Sequence, residues 1–138
     1  MVIMSSMPGS VVQAFAKEIA FRDVRRLETY LADHVAARFD IAGDLVGRNT
    51  LLGFWRRLFQ TYSLFELHIL KCVAEDDLVI AESAYLLAAR RGGLLDVRAI
   101  SVFEVEQGVI THWRDHADLA EVPVSEKDRW LRLSKARW

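Results

Sequence analysis

A carboxylate set in an apolar strand is the pattern in this sequence with the most chemical content. Val109 to Asp118 reads as a strand, and side chains alternate between the two faces of a strand. Thr111, Trp113, Asp115 and Ala117 then share one face, and His112, Arg114 and His116 share the other. Trp113 marks the first face as apolar, so Asp115 is expected where burial disfavours its charged form and raises its pKa. A carboxyl group in that state can take up and return a proton, which is the work of a general acid/base. The residue types leave a second role open, a structural carboxylate that accepts hydrogen bonds from the backbone or a tyrosine.

Other chemistry finds little support. His112 and His116 have the spacing that shares a metal on a helix, but in a strand with ~3.3 Å rise per residue their Cα atoms stand ~13 Å apart. His34 and His68 read as structural or solvent-exposed, and Cys72 as a small buried hydrophobe. No glycine-rich phosphate loop is present, and no nucleophile-elbow sequence supports a hydrolytic triad. The expectation is acid/base chemistry without a cofactor or metal.

The elements that must position Asp115 belong to a chain of 138 residues, 52% hydrophobic and 27% charged, with a formal net charge of -1. That length corresponds to one domain of roughly 150 residues. The single cysteine excludes an intramolecular disulfide and suits a reducing cytoplasm. The near-neutral balance argues against nucleic acid, whose binding needs clustered Lys and Arg. No secretory signal is read at the N-terminus, and charged residues interrupt every hydrophobic run, so no membrane role is expected.

Residues 1–10 read as a loose tail. Helical spacing predicts a helix from Ser10 to about Phe21, a second from an Asp23 cap to near Asp33, and a third from about Leu51 to Tyr62, capped by Asn49 or Thr50. Strands are predicted over Val35–Ile41, Leu64–Ala74, Leu78–Ala89, Leu95–Glu106 and Val109–Asp118. Turns fall at Glu75-Asp76-Asp77, at Arg90-Arg91-Gly92-Gly93, where paired glycines can adopt positive φ, and at Gln107-Gly108. Helices first and an antiparallel meander afterwards indicate an α+β class. Residues 121–138 form a basic tail with Lys127, Arg129, Arg132, Lys135 and Arg137, in which a short helix would lay Trp130 and Leu133 on the domain or a partner.

The run Phe103-Glu104-Val105-Glu106-Gln107-Gly108-Val109-Ile110-Thr111-His112-Trp113-Arg114-Asp115-His116-Ala117-Asp118-Leu119 resembles the closing hairpin of the nuclear transport factor 2-like superfamily. The resemblance is most specific to limonene-1,2-epoxide hydrolases, with SnoaL-like cyclases and ketosteroid isomerases as wider kin. Arg22-Asp23 and Gly47-Arg48-Asn49 extend it, so that it covers about residues 11–120. It implies a cone in which three helices close a strongly curved sheet around a deep apolar pocket. In the epoxide hydrolases an Arg lies between two Asp residues, and a Tyr and an Asn hold the attacking water. Asp115 matches one of those acids, but the Arg falls on Ser83, the second Asp on Tyr85, and the Tyr and Asn on Ala37 and Phe39. Epoxide hydration needs one group to deprotonate water and another to protonate the opening oxygen, so these changes disfavour it. Asp40 lies one residue from the isomerase base position, and a one-residue slip reverses strand facing.

The resemblance implies a pocket lined by Leu58, Tyr62, Leu64 and Leu67, with Val97, Ala99, Ser101 and Phe103 following by alternation, although each of these also suits ordinary core packing. Trp113 joins them from the Asp115 face. The leading expectation is binding of a small hydrophobic, oxygenated molecule, with Asp115 as general acid/base and Tyr85 or Ser83 stabilising an enolate oxygen. The rival is a ligand-binding or interaction domain without catalysis. Arg98, Ile100, Val102, His112 and Arg114 would lie on the exposed sheet face, which favours a homodimer.

Overall fold

Buried residues at helical spacing begin the fold, as seen in a computed structural model that describes residues 3–89 and 92–135. Helix α1 spans Ile3–Ile19, and Val12, Phe15, Ala16 and Ile19 form its buried stripe. It starts well before Ser10, so most of the stretch read as a tail is helical. The helix ends at Ile19, and Arg22, whose φ is 54°, turns the chain away from it. The Arg22 guanidinium then donates to the carbonyl oxygens of Phe59 and Tyr62, at 3.1 and 2.7 Å. A cation on the carbonyl end of a helix satisfies acceptors that the helix leaves open.

The predicted second helix is replaced by two 3₁₀ turns, Val24–Arg26 and Glu28–Tyr30. Asp23 does cap, accepting from the Arg25 N–H at 3.0 Å, but the turn it begins is 3₁₀. Val24, Leu27 and Tyr30 recur every three residues, which matches 3.0 residues per 3₁₀ turn better than 3.6. Strand β1 therefore begins early, at Leu31, and runs to Phe39. A short strand not foreseen in the sequence, β2 (Gly43–Val46), pairs back on it.

Helix α2 spans Arg48–Thr61 and buries Leu51, Leu52, Phe54, Trp55, Leu58 and Phe59. Its cap is Gly47, with φ 94° and ψ 143°, in place of Asn49 or Thr50. An added Cβ at Gly47 would meet only Thr50 Oγ1 at 3.9 Å, so the constraint is the backbone. Gly47→Ala is expected to cost about 1–3 kcal/mol, the usual penalty of a sparsely allowed conformation. Denaturant midpoints test this against Gly93→Ala, where the backbone is not left-handed and open space surrounds the position, and where little change is expected.

The remaining strands are β3 (Tyr62–Glu75), β4 (Leu78–Ala89), β5 (Leu94–Glu106) and β6 (Val109–Ala117), followed by helix α3 (Val124–Lys135). The sheet order is β2-β1-β6-β5-β4-β3, with β1 parallel to β6 and every other pair antiparallel. Gln107 and Gly108, with φ of 52° and 82°, form the tight connection between β5 and β6. Both positive values belong to the hairpin turn whose twist matches its strands. Between β4 and β5, Gly92 and Gly93 lie outside the left-handed region, and Arg90 and Arg91 lie outside the described residues. The result is the α+β cone, with helices packed on one face of a curved, unclosed sheet.

Candidate functional site

Strand register gathers the candidate residues. The parallel β1–β6 pairing sets Ala37 beside Trp113 and Phe39 beside Asp115. On the other side of β6, β5 sets Phe103 beside Trp113 and Ser101 beside Asp115. Strand β4 brings Ser83 opposite Ala99 and Tyr85 opposite Val97. Tyr85 reaches across β5, and its hydroxyl donates to Asp115 Oδ2. The indole N–H of Trp113 donates to Oδ1 at 2.8 Å, so both carboxylate oxygens have a partner. Beside this pair, the Ser101 and Ser83 hydroxyls are hydrogen-bonded to each other at 3.0 Å.

Asp115 is 6% exposed. Burial raises its pKa above the ordinary carboxylate value, a push only partly offset by hydrogen bonds from Tyr85, Ser101 and Trp113, and the charge of Asp40 adds to it. Burial also holds the Tyr85 phenol well above its ordinary value, and the Asp115 charge beside it acts in the same sense. Tyr85 is therefore a lasting donor. Asp115 is the group whose proton can come and go.

Beside the pair lies a cavity of about 100 Å³. Phe39, Phe54, Trp55, Leu58 and Phe65 form much of its wall, Tyr85 and Asp115 supply polar groups, and Trp130 of α3 completes it. Asp40 also contributes to the wall. Its carboxylate accepts from the Ala117 N–H at 3.0 Å and lies 3.6 Å from His116 Nδ1. The Trp55 indole N–H, buried in the same wall, has no hydrogen-bond partner among the described residues. No group of three or more His, Cys, Asp or Glu among the described residues is placed to hold a metal.

Of the residues suggested by the sequence, Leu58, Tyr85, Val97 and Asp115 line this cavity. Tyr62, Leu67, Ala99, Phe103 and Trp113 are buried in the surrounding core, and Ser83 and Ser101 lie beside the Tyr85–Asp115 pair. Leu64 lies on the other face. A bulge between Tyr62 and Leu64 breaks the alternation, so Leu64 pairs with Ala88 in the outward row while Phe65 and Leu67 turn inward. A second irregularity, in the β5–β6 register opposite Thr111, buries Ile110 as well, while Thr111 stays buried with Trp113 and Asp115 as the alternation predicts. Phe54, Trp55 and Phe65 were not singled out in the sequence; they fall within the predicted third helix and the strand after it, where nothing local sets a pocket residue apart from a core one. Trp130 carried a weak signal as an aromatic in a basic tail.

The sequence matches the profile of the SnoaL-like domain over residues 12–113. No functionally curated protein matches it. A protein from Catenulispora acidiphila with a ketosteroid isomerase-like fold, solved with trimethylamine, is 20% identical, with 81% of this chain and 88% of that one covered and a TM-score of 0.75. A putative SnoaL-like polyketide cyclase from Jannaschia is 16% identical, with coverages of 87% and 91% and a TM-score of 0.75. An LEH-like epoxide hydrolase from M. tuberculosis is 22% identical, with coverages of 94% and 92% and a TM-score of 0.75. At these identities the structural likeness establishes the fold.

Proposed function

The chain belongs to the SnoaL-like domain family, and from that premise we propose that it binds a small hydrophobic, oxygenated molecule and performs cofactor-free acid/base chemistry on it through Asp115. The observation that carries this reading is the buried Tyr85–Asp115 pair in the wall of an otherwise largely apolar cavity. In the ionised form, Asp115 takes a proton from the carbon beside a ligand carbonyl, the electron pair of that C–H bond becomes the new C=C bond, and the carbonyl π pair moves to the oxygen. Protonated Asp115 holds the Tyr85 hydrogen bond less strongly, so Tyr85 turns its O–H to the developing enolate oxygen. Return of the proton to a different carbon completes an isomerisation. Alternatively, the enolate carbon bonds to a carbonyl carbon of the same molecule, closing a ring, and Asp115 returns its proton to the alkoxide that this carbonyl becomes.

This reading is tested by exchange of the α-protons of cyclohexanone for deuterium, followed by proton NMR. The parent protein should accelerate exchange, and Asp115→Asn should lose at least ~10²-fold of that acceleration, the lower end of what a positioned base supplies. Exchange that is unchanged by the substitution removes Asp115 as the base. A second reading, a ligand-binding domain without catalysis, is favoured by the hydrogen bonds already made to both oxygens of Asp115. Binding of the ketone with no exchange supports that reading.

We propose in addition that two copies pair through the outer sheet face. Ile80 and Ile100 are 40% and 47% exposed there, beside the Arg98–Asp96 ion pair and the His112 and Arg114 side chains. Sedimentation equilibrium should give twice the chain mass for the parent and the monomer mass for Ile100→Asp.

A further inference from the structure

Helix α3 places Glu126, Trp130 and Leu133 one and two turns apart on one face, and that face meets the cone. The Trp130 indole N–H donates to the Tyr62 hydroxyl at 2.6 Å, and that hydroxyl donates to Glu126 Oε1 at 2.6 Å. Tyr62 is fully buried where β3 begins, so the sheet fixes the position of its hydroxyl. The Arg129 guanidinium lies 3.6 Å from Glu126, and Arg57 of α2 donates to the Leu133 carbonyl at 2.8 Å. One phenol on the sheet thus ties two successive turns of α3 down. The indole held between them is part of the cavity wall.

The size of that cavity gives this contact a consequence. At about 100 Å³ the cavity is smaller than the ~150 Å³ closed apolar cavity known to hold benzene, but it opens to the surface. One six-membered ring therefore fills it and protrudes at the mouth, while a second fused ring has no room as long as Trp130 stays in place. Phe54, Trp55 and Leu58 also line the cavity, but they are rooted in the core face of α2. Trp130 is half-buried and sits on the outermost element.

Building on the reading of the cavity as a ligand site, we propose that Trp130 is its size-selecting wall, held by Tyr62 and Glu126, so that the chain accepts one-ring ligands and rejects two-ring ones. The space occupied by the indole joins the cavity when Trp130 is shortened. Loss of the Tyr62 hydroxyl releases the indole without removing it, and should relax selection to a lesser degree.

Calorimetric titration of cyclohexanone and 1-decalone into the parent, Trp130→Ala, Trp130→Leu and Tyr62→Phe tests the proposal, with circular dichroism confirming that each is folded. The parent should bind cyclohexanone at least tenfold more tightly than decalone. Trp130→Ala should gain at least tenfold for decalone, and Trp130→Leu should gain less because it still covers the opening. If the leucine variant alone folds, its decalone gain decides the matter. A parent that binds both ketones equally, or an unchanged affinity ratio in the folded variants, overturns size selection and leaves the cavity reading intact. Failure of both ketones to bind any variant overturns the cavity reading, and the proposal falls with it.

Discussion

Asp115→Asn is expected to melt at a higher temperature than the parent at pH 7 while losing proton transfer. Burial lifts the folded-state pKa of Asp115 above its ordinary value of 3.8, so folding favours the protonated form. The stability this provides is complete below about pH 4 and is lost as pH rises through the raised folded value. Above that window the parent carries a buried charge that the asparagine lacks. The amide can still fill the site: its oxygen accepts from Trp113, and its NH₂ donates to the Tyr85 oxygen. A gain of the order of 1 kcal/mol would raise the melting temperature of a domain this size by roughly 3–6 °C. The difference between the two proteins should shrink as pH falls towards 4. A lower melting temperature for the variant at pH 7 would mean that the charge is stabilised by its donors, which is the signature of the structural role.

The parts of the fold legible in the sequence were those fixed by local pattern. Buried residues every three or four positions gave α1 and α2, and turn residues at Glu75–Asp77 and Gln107-Gly108 delimited the long strands. The errors lie where a short segment had several solutions. Val24, Leu27 and Tyr30 suit a 3₁₀ spiral as well as an α-helix, and only the early start of β1 decides between them. Strand β2 spans Gly43–Val46 and exists because β1 offers it an edge, a tertiary fact with no local signal.

The site divides in the same way. Alternation along β6 put Asp115 on the face of Trp113, a consequence of strand period, whereas Tyr85 came into consideration only through the resemblance. Leu64 failed because a bulge adds one residue and reverses facing, and a bulge leaves no clear mark in composition. The role of Trp130 was hidden for another reason. Its partner Tyr62 lies 68 residues away, and only the closed structure brings that phenol to the helix, where it donates in turn to Glu126.

Trp113→Ala should be the most damaging single change to the fold. Trp113 is fully buried, with ring centroids of Phe15, Phe39, Trp55 and Phe103 at 5.0–5.5 Å. Truncating a core tryptophan costs about 3–5 kcal/mol, a large part of the ~5–15 kcal/mol by which domains are stable. The guanidinium midpoint should fall accordingly, and near-UV dichroism from the stacked indoles should collapse. Trp113→Phe separates packing from chemistry, since it keeps a ring in the cluster and removes the N–H that Asp115 Oδ1 accepts. It should cost far less stability. That hydrogen bond favours the charged carboxylate, so its loss moves the Asp115 pKa further upward. If Asp115 is the base, the pH dependence of ketone exchange should shift to higher pH in Trp113→Phe. An unshifted profile would show that the exchanging group is not the one Trp113 holds.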